Sequence, residues 1–407
     1  MAVRSVIRNA RLWDGVADDL IDGGEVLIED GRVVEAGRVR TALQVEEIDA
    51  GGRFVMPGLI DGHFHAYWGP PSIPEVETLP LSYLAHHASR LLTASLRRGF
   101  TTIRDAGGAD WGLWRAAEDG LFEAPRLFYA GRALSQTGGH GDSRAQHHEP
   151  CSCRFIANLS ETADGIDEVR KAARETLRRG AHHLKIFLSG GVVSPTDPIW
   201  MRQYSDAEVR AAVEEASSRR TYVMAHAYTA EAAMRAAKCG VRSVEHGNLI
   251  DERAAQAMAA AGAFLVPTLV TYHVLSREGA ELGLGKESLR KLADVAEKGA
   301  GAVKLARAAG VQVGFGTDLA GPAHHHQRDE FRLRAETDAP IDILRSATSV
   351  NAEMMMRAGE IGTIAPGAFA DLIAVEGDPR EDLSCLFADA PQPALIMKGG
   401  RVISQAA

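Results

Sequence analysis

Cysteine is scarce: the 407 residues hold four, Cys151, Cys153, Cys239 and Cys385. They are too few and too scattered for a disulfide framework, so a reducing, cytoplasmic setting is the expectation. The opening Met-Ala-Val-Arg-Ser-Val-Ile-Arg-Asn-Ala lacks the apolar core of a secretory leader. No apolar run reaches the length needed to cross a bilayer. Positive charge is in deficit, with 45 Lys and Arg against 54 Asp and Glu and a formal net charge of −9. That balance argues against nucleic acid or an anionic membrane surface as a partner. Also missing is a Gly-x-Gly-x-x-Gly fingerprint after the first central strand, which counts against a dinucleotide-binding doubly wound sheet. No internal repeat or low-complexity tract stands out. What remains is ordinary globular composition, 45% hydrophobic and 24% charged, in a chain long enough for one large unit and a small second one.

The two ends share one texture. Val6-Ile7, Leu12-Trp13, Glu25–Ile28 and Val33–Ala36 are short runs separated by Asp14-Gly15, Gly23-Gly24 and Asp30-Gly31, which is hairpin and turn chemistry. Asp371–Val375, Ala394–Met397 and Val402-Ile403 repeat the pattern around Lys398-Gly399-Gly400-Arg401. Neither end can bury a core alone, so residues 1–55 and 365–407 are expected to pair into one discontinuous β-sandwich domain. Between them, residues 56–364 alternate strand and helix. Strand candidates are Met56–His65, Thr101–Ala106, Arg126–Arg132, Leu184–Ser189, Tyr222–His226, Ser243–His246, Phe264–Leu269 and Val311–Thr317. Leu84–Arg98, Ile166–Arg179, Asp206–Ser218 and Thr229–Lys238 have helical spacing, and Ser205-Asp206-Ala207-Glu208 reads as a cap with acidic first-turn residues. Leu282-Gly283-Leu284-Gly285 marks a helix break. Eight such units predict an α/β fold with parallel strands closed into a (β/α)₈ TIM barrel, an open doubly wound sheet being the alternative. Irregular segments near 66–80, 133–160 and 190–204 each follow a strand, which in a barrel puts them at the C-terminal face where loops carry function.

The chemistry begins where the run Phe54–Ile60 leads into Asp61-Gly62-His63-Phe64-His65. In a strand, residues i and i+2 share a face, so His63 and His65 point the same way and make half of a metal site. An isolated His-x-His is equally at home in a turn, so the later strand ends decide. They supply Lys185, His226, His246 and Asp318. A single strand-terminal His or Asp is ordinarily a turn residue, but six suitable residues at the same end of five strands form a constellation.

Those residues resemble the binuclear metal site of the amidohydrolase superfamily. The segments 105–108 (Asp-Ala-Gly-Gly), 135–142 (Ser-Gln-Thr-Gly-Gly-His-Gly-Asp), 185–192, 225–228, 245–248 and 316–319 resemble its imidazolonepropionase-like branch. That branch holds Xaa-Pro and related dipeptidases, N-acyl-amino-acid hydrolases and ochratoxinase-type amidases. The resemblance runs from Gly51 to Leu372 without a departure at any ligand position. It implies a hydrolase of amide bonds in small N-acyl amino acids or dipeptides, acting through metal-activated hydroxide. By the same resemblance His63, His65 and Asp318 hold one divalent metal, most simply zinc, and His226 and His246 hold the second. Lys185, N-carboxylated by CO₂, bridges the two. A free lysine would place a third cation against two divalent ions, whereas a carbamate is an anionic two-oxygen ligand. Asp318 is expected to move the proton, and His140 and Tyr228 to meet the developing oxyanion.

Specificity is less legible. Substrates of this branch often carry a carboxylate beside the scissile amide, which calls for cationic or imidazole partners. Candidates are Arg144, His147 and His148 in the long loop after the third strand, Tyr272 and His273, and the run His324–His326, with His325 at its centre. Each is equally readable as a solvated histidine or a packing residue. Trp68, Trp111 and Trp200 follow strands and are candidates for an apolar wall. Cys151-x-Cys153 reads as structural or incidental. Three other classes stay open: a cyclic-amide hydrolase or deaminase, a carbamate, ester or organophosphate hydrolase on the same site, and a non-enzymatic scaffold. Neighbouring branches often lack the fourth-strand lysine, and dead scaffolds typically lose ligands. The expected partners are a small-molecule amide and other copies of the chain in a homo-oligomer.

Overall fold

The computed structural model describes residues 4–40, 45–69, 76, 79–144, 159–194 and 196–405. Cys151, Cys153, His147 and His148 lie outside the described residues.

Five strands open the chain: β1 (Arg4–Leu12), β2 (Ile21–Glu29), β3 (Arg32–Gly37), β4 (Glu46–Asp49) and β5 (Phe54–Pro57). Asp30 and Gly31, at φ 49° and 79°, make the tight turn that sends β3 back along β2. The central region runs β6 (Leu59–Phe64), α1 (Leu81–Arg97), β7 (Phe100–Asp105), α2 (Trp111–Glu118), β8 (Arg126–Tyr129), β9 (Ala133–Ser135) and β10 (Ser160–Thr162). It continues with α3 (Gly165–Arg178), β11 (Leu184–Phe187), α4 (Asp206–Ser218), β12 (Val223–Thr229), α5 (Ala230–Cys239), β13 (Ser243–Leu249) and α6 (Glu252–Ala261). Then come β14 (Phe264–Val266), α7 (Leu269–Glu278), α8 (Lys286–Val295), α9 (Gly299–Ala308), α10 (Asp329–Arg334), α11 (Pro340–Arg345) and α12 (Asn351–Met354). Strands β15 (Leu372–Val375), β16 (Leu395–Lys398) and β17 (Arg401–Gln405) complete the order.

The helices stand where apolar spacing and caps require them. Ser205 and Glu208 form a reciprocal capping box at the start of α4: Glu208 N donates to Ser205 Oγ, and Ser205 N donates to Glu208 Oε2 at 2.6 Å. The Leu-Gly-Leu-Gly stretch falls between α7 and α8, as its glycines predict. Among the described residues no helix is long and apolar enough to cross a membrane.

Both ends of the chain meet in one eight-stranded sheet of order β17-β16-β15-β5-β1-β2-β3, with β4 beside β1. Its strands alternate. Val55, Leu372, Ala374, Leu395 and Met397 pack with Ile7, Val26 and Ile28 in a core of the sheet's own, while Phe54, Met56, Ile373, Val375 and Ile396 join the core that surrounds β6 and β7. The central strands form two wholly parallel sheets, β6-β7-β8 and β10-β9-β11-β12-β13-β14. Main-chain bonds join them at two places. His182 N donates to Tyr129 O (2.9 Å) between β8 and β11, and the segment 312–318 bonds β14 on one side and β6 on the other, through Gly314 N to Leu265 O and Gly62 N to Phe315 O, both 2.8 Å.

Several strands differ from expectation. The candidate Arg126–Arg132 stops at Tyr129 and a further strand, β9, lies inside the stretch expected to be irregular, while Phe264–Leu269 stops at Val266 and Leu269 opens α7. Met56–His65 is not one strand: it divides at Gly58, whose N donates to Asp371 O in the terminal sheet while Leu59 N turns to Gly99 O at the start of β7. A Cβ at Gly58 would lie 2.1 Å from Thr101 Oγ1, so the crossing requires glycine. Val311–Thr317 is not a regular strand and carries a single bridge, Leu265 with Val313. A Cβ on Gly316 would meet Val266 Cγ1 at 2.5 Å and His63 Cβ at 2.7 Å, so this segment approaches too closely for a regular ladder.

Asn351, buried at the start of α12, holds that segment against β6. Its Nδ2 donates to Ile60 O (2.9 Å) and Phe315 O (2.8 Å), and its Oδ1 accepts from Phe315 N (3.1 Å). Asn351→Leu keeps the branched shape, adds some volume and removes all three bonds, so it is expected to lower the unfolding free energy by about 2–4 kcal/mol, read as a shifted denaturant midpoint. An unchanged midpoint would show that packing alone holds the segment.

Candidate active site

His63 and His65 sit at the end of β6, His226 within β12, His246 within β13, and Asp318 just past the segment that closes on β6. Their rings gather around the Asp318 carboxylate: Oδ1 lies 3.4 Å from His63 Nε2 and 3.3 Å from His65 Nε2. The His63 and His246 rings are 4.9 Å apart, and His226 and His246 4.7 Å. Each imidazole has its other nitrogen engaged. His63 Nδ1 bonds Glu245 Oε2 (2.7 Å), His65 Nδ1 bonds Gly107 O (2.9 Å), His246 Nδ1 bonds Thr268 Oγ1 (2.9 Å) and His226 Nε2 bonds Gly190 O (3.1 Å). This is how metal-ligating histidines are held in one tautomer and one orientation.

Behind them lies a buried charge pair that sequence reading missed. Arg104 donates to both carboxylate oxygens of Glu245 (3.0 and 3.1 Å), to Ser243 Oγ (3.0 Å) and to Gly62 O (2.6 Å). Burial works to raise the Glu245 carboxyl, but Arg104 and His63 hold it far below the usual range. The signal was present as an Arg inside the strand candidate Thr101–Ala106 and a Glu directly before His246. Burial likewise works against ionised Asp318, yet His63, His65 and His246 hold it well below the usual carboxylate range. Lys185 is buried, which lowers its amine to about 8. Among the described residues no carboxylate lies within ion-pair distance of Lys185.

The cavity over these groups, about 60 Å³, is also lined by His140, Trp68, Phe187, Val192, Tyr228 and Tyr272. His140 stacks on His226 with centroids 4.4 Å apart, and burial lowers its imidazole to about 4. Tyr272 Oη donates to Tyr228 Oη at 3.1 Å, and burial raises both phenols. Other candidates stand elsewhere. Arg144 pairs with Asp142 at 2.7 Å and does not line the cavity, and His325 is exposed with its Nδ1 against Pro322 O. Of the tryptophans, Trp68 lines the cavity. Trp111 is exposed on a larger groove of about 890 Å³ that holds none of these groups, and Trp200 is exposed.

The donor set fits a first-row divalent cation. His63, His246 and Asp318 offer ligand atoms within 4.8 Å of one another, and His63 Nε2 is buried without a hydrogen-bond partner. A buried nitrogen left unpaired beside a carboxylate and three further imidazoles suits a metal ligand. Such a site on parallel α/β architecture defines a class, and comparison with known proteins gives the same answer. The model of the Amidohydrolase family matches residues 54–403. The ochratoxinase of Aspergillus niger is 31% identical over 363 residues, covering 86% of this chain and 75% of its own. A solved prolidase complexed with N-methylphosphonate-L-proline is 44% identical, with a TM-score of 0.96 over 99% of this chain and 100% of its own. A solved Xaa-Pro dipeptidase with bound methionine in the active site is 28% identical, with a TM-score of 0.88 over 98% and 100%. The chain belongs to the amidohydrolase family. It is an enzyme, a hydrolase acting on the C–N bonds of amides.

Glu245→Gln preserves shape and removes the charge that orients His63 and compensates Arg104. It is expected to cost about 3–5 kcal/mol of stability and to weaken zinc binding roughly 10–100-fold, measured by calorimetric titration of the metal-free protein. Unaltered zinc affinity would show that His63 is oriented without this carboxylate.

Proposed function

We propose that this chain is a binuclear metal-dependent hydrolase that cleaves the amide bond of small N-acyl amino acids or dipeptides. The observation that carries the proposal is one cavity lined by His63, His65, His226, His246 and Asp318 together with a buried lysine, Lys185, that has no carboxylate within reach among the described residues. We assign His63, His65 and Asp318 to one cation, His226 and His246 to the other, and Lys185, carboxylated on Nζ by CO₂, to the bridge. The lowered amine supports that modification, since the neutral amine is the form that adds to CO₂. Imidazole-rich donors favour zinc. When bound, the two cations supply Lewis-acid polarisation of the scissile carbonyl and bring the pKa of water toward neutrality. The prolidase and Xaa-Pro dipeptidase likenesses favour an amide next to an amino acid. The same reading takes β6, β7, β8, β11, β12, β13, β14 and residues 311–317 as the staves of a (β/α)₈ barrel, supported by the bonds that join the two parallel sheets.

The remaining work falls to the chain. Asp318, held ionised by its imidazole neighbours, accepts a proton from the attacking water and returns it to the leaving nitrogen. Tyr228 Oη already accepts from Tyr272, which leaves its own proton to point elsewhere; with the phenol raised by burial, that proton stays available for the oxyanion. His140, neutral and packed on His226, lines the same side. Trp68, Phe187, Val192 and Leu275 give the substrate an apolar wall.

Protein purified without chelator is expected to carry about two metal ions per chain and to release an amino acid from at least one member of a panel of N-acyl amino acids and dipeptides. One ion and no amide cleavage would sink this reading. Lys185→Ala should lose binuclear loading and turnover together, with partial rescue by a short carboxylic acid; metal content like that of the wild type would remove Lys185 from the bridge. For Asp318→Asn the fold should survive while turnover falls by orders of magnitude, and near-normal turnover would mean another group moves the proton.

A further inference from the structure

The loop between β11 and α4 is wrapped around a charge it does not own. Lys291, on α8, is buried, and its Nζ donates to three main-chain carbonyls of that loop: Gly191 O at 3.0 Å, Ser194 O at 2.8 Å and Asp197 O at 2.6 Å. Asp197 Oδ1 lies 3.9 Å away, so a buried carboxylate supplies the counter-charge. Three carbonyl dipoles aimed at one point repel one another unless a cation sits there, and an ammonium has three donors and no acceptor to give them.

The other side of the same loop grips His140. Ser194 Oγ is 2.7 Å from His140 Nδ1, and Asp197 Oδ2 is 3.7 Å from it. Asp197 Oδ2 also accepts from Gly191 N (3.0 Å) and Gln203 Nε2 (3.1 Å), while Gln203 Oε1 accepts from His140 N (3.0 Å). The ring lies flat against bare backbone: a Cβ on Gly191 would sit 1.9 Å from His140 Cε1. The residues that fix the ring are thus those whose carbonyls converge on Lys291.

We propose that Lys291 acts as a tethered monovalent cation that gathers the carbonyls of Gly191, Ser194 and Asp197, and through those residues is a positioning residue for His140. The positioning half rests on His140 serving the reaction as read above, whereas the cation half does not. The site takes a compact monovalent cation with donors for three carbonyls, an ammonium or an alkylammonium ion.

Lys291→Ala in the full-length holoenzyme removes the stem and the charge, and n-propylammonium matches the atoms deleted. The variant should melt below the wild type in choline chloride and recover in n-propylammonium chloride, but not in 1-propanol at equal concentration. Melting that is equal in all three media overturns the tethered cation. On the best substrate of the panel, kcat should fall roughly 100-fold with KM and metal content close to wild type, and n-propylammonium should restore part of it. Added to His140→Ala, the substitution should cost little more. A loss of bound metal, or a kcat loss that adds in full to that of His140→Ala, overturns the positioning role. Should Lys291→Ala not accumulate as folded protein, Lys291→Met keeps the stem without the charge. A kcat loss in Lys291→Met that no added cation restores supports the proposal, and wild-type kcat overturns it. If the wild type cleaves none of the panel, the functional reading fails, and the melting comparison still decides the cation.

Discussion

Arg104 and Glu245 meet where no water reaches, and the geometry of the site is referenced to that contact. Two charges taken from water cost several kcal/mol each, and the cost is offset only when every donor and acceptor finds a partner. Here the guanidinium fork is filled by Glu245, Ser243 Oγ and Gly62 O, and the carboxylate reaches on to His63. Those partners lie on β6, β7 and β13, which belong to two different parallel sheets. One ion pair therefore sets the distance between sheets and the orientation of the His63 ring at once. Hydrophobic side chains of similar volume would fill the space with no loss of stability, but they would leave His63 free to turn.

Backbone conformation adds to this. Outside glycine, few residues adopt a left-handed conformation, yet His246 (φ 72°), Thr268 (φ 49°) and Asp318 (φ 51°) all do. Each costs about 1–3 kcal/mol. At His246 the benefit is visible: strict alternation along β13 would send Glu245 and His246 to opposite faces, whereas the twist lets both approach His63. Thr268, in the same region, brings its hydroxyl to His246 Nδ1. Strain of this kind persists where the surroundings over-determine it, and the filled hydrogen-bond set around Arg104 does so.

Much of this was legible in the residues. His63, His65, His226, His246 and Asp318 declare themselves as polar residues late in or just after apolar runs, a pattern that survives without knowledge of the fold, whereas Lys185 stands second in β11 and shows itself only as a charge inside an apolar strand. The Ser205 cap and the 282–285 helix break are equally local. What stayed hidden depends on contacts distant in sequence. Arg104 and Glu245 are separated by 141 residues, and Lys291 by up to 100 from the carbonyls it holds. Nothing near Lys291 distinguishes it from an ordinary helix lysine. Arg144 was plausible as a cation for a substrate carboxylate, but Asp142, two residues away, takes its guanidinium. The division of Met56–His65 at Gly58 was hidden for the same reason, since only the arrival of Asp371 shows that the first half belongs to another sheet.

The terminal sheet has a temporal meaning as well as a spatial one. β5, which leads through Gly58 straight into the His63 strand, lies between β1 and β15, and β15 in turn needs β16. During synthesis β15 and β16 emerge more than three hundred residues after β5, so a nascent chain displays its first two histidines on a strand whose anchor has not yet been made. Pairings of such long range close late in folding. The arrangement ties assembly of the histidine cluster to the arrival of β15 and β16, and a ribosome that stalls before Leu395 releases a product without the seam that anchors the His63 strand.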